Sequence, residues 1–173
     1  MLRFRDVARL LAHLPLAGIL ALSLVLNLSN AAFPLRFHAD EPTKVEFIKA
    51  GTSDFHHPLL MLQLVQAARW PLQPASDQAL VEVGRALMGL AGVASVLLMF
   101  VLARQRLSRA WALGVALAVA VSPTLVVHAH YLDERTLLTT CLLAATVAFF
   151  RFVDRPAPAA TLWLGVAMGL AWA

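Results

Sequence analysis

The chain has 173 residues, of which 60% are hydrophobic and only 14% are charged, and its mean hydropathy is +0.74. Soluble domains carry about 25% charged residues, so this chain has too few charges to cover a water-soluble globule. Its single cysteine, Cys141, excludes a disulfide framework and a cysteine-based zinc site. The net charge of +4 comes mostly from arginines beside apolar runs, a pattern typical of membrane topology determinants, and we expect no nucleic-acid partner.

The first apolar run covers residues 10–32 and follows a basic N-terminus. The apolar core of a signal peptide is usually about 7–15 residues long. Because this run is longer and further apolar runs follow it, we predict an uncleaved transmembrane helix. A cleaved signal peptide is the alternative, since Ser29-Asn30-Ala31 fits a cleavage site.

Residues 33–82 are more polar and are predicted to form an outer loop. Within this loop, positions 58–70 read PLLMLQLVQAARW, which is too short to cross a bilayer. The run has one apolar face and one polar face, so we predict an amphipathic helix on the membrane surface with Trp70 at headgroup level. A short re-entrant or buried helix is the alternative.

Four further apolar runs follow, at residues 83–103, 111–127, 136–153 and 160–173. The run 111–127 contains Ser122-Pro123, which a membrane helix tolerates where the freed backbone groups find partners. The last run is short, and we expect this chain to be the N-terminal part of a longer module. The predicted fold is an all-α polytopic membrane protein with four to five transmembrane helices in a single domain over residues 1–173.

Basic and acidic residues separate along the chain. The N-terminus and the segments 104–109 and 151–155 are basic, and the positive-inside rule places them in the cytoplasm. The loop 33–82 and the patch 128–135 then face the opposite side, and together they carry eight of the ten acidic residues. We therefore expect acids from two distant parts of the sequence to share one rim of the helical bundle.

Asp40 and Glu41 stand together in the first of these stretches, within FHADEP, and Asp133 and Glu134 stand together in the second. Paired carboxylates near a membrane can act as a general base or as metal ligands, whereas a solvated surface pair is the simpler alternative. The second pair could meet the first across a groove. A polar cap between two spans is the alternative for the second pair.

Histidines follow in the segment GTSDFHHPLL, where His56 and His57 offer metal ligands or proton carriers. Adjacent side chains on a helix diverge, and no spacing here matches a known zinc motif. We therefore assign no metal site and leave the cofactor unassigned, with a divalent metal ion as an open alternative.

The order of these features resembles the N-terminal portion of GT-C glycosyltransferases, in the group of protein O-mannosyltransferases and aminoarabinose transferases. The similarity rests on Asp-Glu in a large first outer loop, a surface helix opened by His-Pro, Ser-Pro in the third span, and the acidic patch after it. It implies an enzyme of the bacterial inner membrane that takes a sugar from a polyprenyl-phosphate donor on the extracytoplasmic side.

The resemblance also implies roles for individual residues. Asp40 matches the family's proposed base, Glu41 its acidic neighbour, and Asp133 the acidic position after the third span. The candidate substrate-binding residues, several of them for the donor phosphate, are Lys44, Lys49, His56, His57, Glu134 and Arg135. The acceptor, whether protein, lipid or polysaccharide, stays open.

Two other functions fit a polytopic membrane protein. A transporter or flippase would place ionisable residues near the bilayer midplane, whereas the centres of these runs lack Asp, Glu and Lys. A non-enzymatic membrane subunit is the other alternative, and it predicts that Asp40 can be lost without consequence.

Overall fold

The computed structural model describes residues 4–52 and 59–172, with residues 4–12 and Leu59 described by their backbone alone. Every regular element in these ranges is helical, which confirms the all-α class. A short 3-10 turn, Leu35–Phe37, precedes α2. The α-helices are α1 (Phe4–Leu28), α2 (Glu41–Ala50), α3 (Leu59–Leu72), α4 (Asp77–Arg104), α5 (Arg109–Ala120), α6 (Pro123–Ala129), α7 (Glu134–Asp154) and α8 (Pro158–Trp172).

Fewer helices qualify as membrane spans than the sequence predicts. Among the described residues, α4 and α7 are long and apolar enough to cross a bilayer, and α5 with α6 forms a third candidate that is bent by 53°. The described apolar part of α1, residues 13–28, and α8 are shorter apolar helices. The chain is therefore an integral membrane protein, and its described residues contain two to three candidate spans, a coarser result than the predicted four to five.

The third predicted span is two helices rather than one. Proline has no backbone N–H and disfavours the helical conformation in the residue before it. Accordingly, Ser122 is extended, with φ −64° and ψ 119°, and Pro123 opens α6. At the end of α6, the ring nitrogens of His130 lie 2.6 Å from the carbonyl oxygen of Val126 and 2.7 Å from that of Ser29, which ties α6 to the end of α1.

The segment 33–82, which was predicted to be a loop, contains two helices. The sequence analysis did not predict α2, which carries Pro42 in its first turn and ends at Gly51 with a left-handed φ of 67°. The predicted helix at positions 58–70 is present as α3, and it buries Met61 and Val65 while leaving Trp70 84% exposed. These side chains join a core with α2 and α4, so α3 packs on the protein, and its place on a membrane surface stays a prediction.

Helix α4 is the centre of the bundle and contacts α1, α5 and α7. Two of its glycines face α1 closely: a methyl group at Gly89 would lie 2.9 Å from the backbone oxygen of Asn27, and one at Gly92 would lie 2.7 Å from the Asn27 side-chain nitrogen. Asn27 is 1% exposed and donates to Ser23 at 3.2 Å. Small residues thus let two helix backbones approach each other, as in other membrane bundles.

We predict that Gly89→Ala lowers the stability of the protein by about 1–3 kcal/mol, because the added methyl group meets backbone that cannot move without shifting α1. Gly114→Ala is the matched control, since a methyl group there meets nothing within 4 Å and alanine favours helix. Thermal unfolding in detergent measures both variants. Equal midpoints for the two would contradict the close α1–α4 contact.

Candidate functional site

A buried ion pair joins the start of α2 to α4. Glu41 and Arg85 are both 0% exposed. The guanidinium donates from Nε to Oε1 at 3.0 Å and from Nη2 to Oε2 at 2.5 Å, so the pair is bidentate. The Arg85 guanidinium carbon also lies 3.6 Å from the centre of the Phe33 ring. Because a buried charge needs several partners, this arrangement fixes the first turn of α2.

The loop after α1 supplies the remaining partners of Arg85. Nη1 donates to the carbonyl oxygens of Ala31 and Phe33 at 2.8 and 2.5 Å, and Nη2 donates to that of Pro34 at 3.4 Å. Together with the two bonds to Glu41, these contacts use all five guanidinium donors. The sequence analysis missed Arg85, although an arginine inside an apolar run is itself a signal for a buried partner.

The two acidic stretches meet at this pair. The backbone N–H of Leu132 donates to Glu41 Oε1 at 2.9 Å. Lys44, which is 1% exposed, donates to the Leu132 carbonyl oxygen at 2.9 Å and pairs with Glu134 at 2.6 Å. Helix α2 therefore holds the 132–134 segment through both backbone and side chains. Glu41, Lys44 and Glu134 all find their partners inside the protein.

Asp40 comes directly before Glu41, and its side chain lies on the other side of the first turn of α2. It occupies the N-cap position of α2 but makes no capping bond, and its side chain is exposed. Within residues 4–52 and 59–172, its carboxylate has no hydrogen bond or ion pair. Neighbouring positions on a helix point about 100° apart, so the burial of Glu41 turns Asp40 outward. Asp40 is thus a carboxylate with no partner in the described part of the chain, and it lies beside the meeting point of the two stretches.

Asp133 differs from Asp40 because it is 4% exposed. Its Oδ1 accepts from the backbone N–H of Arg135 at 3.0 Å and so caps α7. Its Oδ2 lies 2.9 Å from Nδ1 of His128. Both carboxylate oxygens of Asp133 therefore have partners within the protein. Any effect of Asp133 on its surroundings passes through the imidazole of His128.

His128 lines a cavity of about 310 Å³ between α4, α5, α6 and α7. Arg135 and Thr136 lie on the polar side, and the Thr136 hydroxyl is buried with no hydrogen-bond partner among the described residues. The apolar wall includes Met99, Val119, Leu125 and Leu143. A cavity with a cationic and hydroxyl-bearing side and an apolar wall suits an anionic group attached to an apolar chain.

An aromatic group that the sequence analysis did not single out lies next to Asp40. The ring of His38 is 4.7 Å from that of Tyr131, centre to centre, and the rings of Phe37 and Tyr131 stack at 6.5 Å. Phe37 is 69% exposed, and Nδ1 of His38 is buried without a partner in the described part of the chain. The signal in the sequence was the placement of aromatic residues in both acidic stretches.

Of the other predicted site residues, Lys49 lies apart from this cavity, Arg135 lies at its edge, and two histidines fall outside the described ranges. Lys49 pairs with Asp77 at 2.9 Å near the far end of α2, and both side chains are about half exposed. Arg135 is exposed, with Nε 4.0 Å from Asp133. His56 and His57 fall outside the described residues. Within the described ranges, no three His, Cys, Asp or Glu residues gather closely enough to hold a metal ion.

We predict that Arg85→Met destabilises the protein by about 3–5 kcal/mol, because it leaves the Glu41 carboxylate buried without its counter-charge. Lys49→Met is the matched control, since its exposed pair with Asp77 is worth only about 0–1 kcal/mol. Thermal unfolding in detergent compares the two. If Arg85→Met unfolded at the wild-type temperature, Arg85 would not be the structural tie that its contacts indicate.

A comparison of the chain with known protein families gives a match. A family model described as dolichyl-phosphate-mannose-protein mannosyltransferase matches residues 78–173, which is more than half of the chain. The match runs from the first turn of α4 through α8 and includes Arg85, His128 and Asp133. Comparisons with curated proteins and with solved structures gave no match. The resemblance to GT-C glycosyltransferases is thereby confirmed, and the chain belongs to the dolichyl-phosphate-mannose-protein mannosyltransferase family of membrane glycosyltransferases.

Proposed function

We propose that this protein transfers a sugar from a polyprenyl-phosphate donor to an acceptor hydroxyl on the extracytoplasmic side of the membrane. The family description, with its dolichyl-phosphate-linked mannose, supports the class of donor. The observation that carries the proposal is the exposed carboxylate of Asp40, which has no partner among the described residues and is held beside the 132–134 segment by the buried pair of Glu41 and Arg85. A general base needs this combination of access and fixed position.

In the proposed reaction, Asp40 accepts the proton of the acceptor hydroxyl. The acceptor oxygen then bonds to the anomeric carbon of the sugar, and the bond from that carbon to the phosphate oxygen breaks. The electron pair leaves with the lipid phosphate, which gains negative charge. Cationic groups near the leaving phosphate lower the barrier because they stabilise this charge as it develops.

The cavity beside His128 is the proposed site for the donor phosphate. Arg135 supplies positive charge and N–H donors, His128 lines the same cavity, and the Thr136 hydroxyl gains a partner that it lacks among the described residues. The apolar wall suits the isoprenoid chain. In this proposal Asp133 acts by orienting His128 rather than by touching the substrate.

The remaining predicted residues divide into two groups. Glu41, Lys44 and Glu134 are proposed to position the site, since each has its partners within the protein. Lys49, His56 and His57 stay predictions as substrate contacts. The exposed face of Phe37, close to Tyr131, is a further candidate surface for a sugar ring.

The proposed orientation places the basic segments 104–109 and 151–155 in the cytoplasm of a bacterial cell. These segments adjoin, because Arg106 pairs with Asp154 at 2.9 Å, so one end of the bundle carries both. Asp40 lies near the start of α4 and Asp133 at the start of α7, whereas the basic segments lie at the other ends of these two helices. The positive-inside rule therefore supports a site that faces the extracytoplasmic side.

We expect Asp40→Asn to lower sugar transfer by about 100-fold or more, since general base catalysis typically contributes about 10²–10⁴. Labelled sugar transfer is measured in membranes that contain the complete gene product. Glu46→Gln is the matched control, because Glu46 is an exposed acid on the same helix. The Asp40 carboxylate has no structural partner among the described residues, so membrane insertion should be unchanged, and wild-type transfer by this variant would remove the proposed base.

Topology reporters test the orientation independently of activity. A reporter fused within 104–109 should give a cytoplasmic signal, and one fused near Asp77 should give an extracytoplasmic signal. An external signal at 104–109 would reverse the proposed sidedness.

A further inference from the structure

We propose that the basic end of the bundle binds the headgroup of an anionic phospholipid that carries hydroxyl groups, as phosphatidylglycerol does. The site is a cavity of about 710 Å³ between the α4–α5 turn and the α7–α8 turn. It lies at the end of the bundle away from Asp40, and it is independent of the proposed sugar transfer.

The charge in this cavity is unbalanced. Arg104, Arg151 and Arg155 line it, and Asp154 is the acid that lines it with them. Asp154 is already paired with Arg106 at 2.9 Å. Among the described residues, the side chains of Arg151 and Arg155 have no acidic partner. Guanidinium groups free in this way favour a phosphate, which they can bind through two parallel hydrogen bonds.

A second observation points to a ligand. Gln105 lines the same cavity, and both its side-chain oxygen and its side-chain nitrogen are buried with no hydrogen-bond partner in the described part of the chain. Buried amides without partners are rare in folded proteins because they lose hydration with no compensation. A phosphate oxygen would accept from the Gln105 nitrogen, and a headgroup hydroxyl would donate to its oxygen.

The surroundings of the cavity favour a lipid over a free anion. Its walls include Phe100, Val101 and Ala160, which suit acyl chains. The cavity lies at the ends of α4 and α7, the two longest candidate spans, where the headgroups of a bilayer would be. Basic pockets between membrane helices are known to bind anionic headgroups. The competing explanation is that these arginines only set the topology of the chain. In that case every arginine at this end of the bundle should contribute equally to the retention of phosphatidylglycerol.

Native mass spectrometry of the purified chain, in mixed micelles of dioleoylphosphatidylglycerol and dioleoylphosphatidylcholine, tests the proposal. Wild type should retain phosphatidylglycerol selectively. Arg151→Gln and Arg155→Gln should each lower this retention by about fivefold, the amount expected for one headgroup-contacting arginine. Arg109→Gln is the matched control, because Arg109 begins α5 at the same end and lies outside the cavity. Equal losses in Arg109→Gln and Arg151→Gln would overturn the site.

Gln105→Leu tests the hydrogen bonds to the headgroup separately from the charge of the cavity, since this substitution leaves the charge of the protein unchanged. It should lower phosphatidylglycerol retention severalfold and remove the preference for phosphatidylglycerol over dioleoylphosphatidic acid, which lacks the headgroup hydroxyls. Unchanged retention in Gln105→Leu would overturn the proposal, as would displacement of the lipid by millimolar inorganic phosphate. Two controls show that a variant is folded. The variant still retains phosphatidylcholine, and Arg151→Lys, which keeps the positive charge, recovers the binding of phosphatidylglycerol. A loss of phosphatidylcholine together with phosphatidylglycerol, without recovery in Arg151→Lys, would also count against a headgroup site.

Discussion

The buried pair of Glu41 and Arg85 is the constraint on which the rest of this structure depends. Its donors and acceptors join three parts of the chain that are distant in sequence: the loop after α1, the first turn of α2, and the backbone at Leu132. A salt bridge of this kind contributes little net stability when compared with an apolar contact, but it is strongly directional. Its effect here is to fix a single geometry at the end of the bundle where the two acidic stretches meet.

That geometry gives neighbouring acids different tasks. Glu41 faces inward and is saturated with partners, and this leaves Asp40 facing outward with none among the described residues. Asp133 is also engaged on both oxygens, so its effect passes to His128. The proposed reaction requires that buried charges be neutralised and that one carboxylate stay accessible to the substrate. Consecutive residues on one helical turn meet both needs because their side chains diverge.

The features that the sequence predicted are those set by composition and period: the helical class, α3, and the approach of the two acidic stretches to each other. The features that it missed depend on tertiary contacts. Helix α2 has a polar sequence whose first turn is held by Arg85, and Arg85 itself lies inside an apolar run. The Ser122-Pro123 pair was visible in the sequence, but proline in a membrane helix is compatible with a continuous span. Only the packing of α6 determines whether the helix continues or breaks there.

The break has a consequence for the lipid around it. Helix α5 has 12 residues and is therefore about 18 Å long, whereas the hydrocarbon layer of a bilayer is about 30 Å thick. The polar end of α6 then lies below the level at which an unbroken span would emerge. If α5 and α6 together form a span, either the bilayer thins beside α6 or water enters a vestibule there, since the polar side chains at the end of α6 are costly to place among acyl chains. A substrate anchored by its tail would in that case meet polar groups before its head had left the hydrocarbon layer.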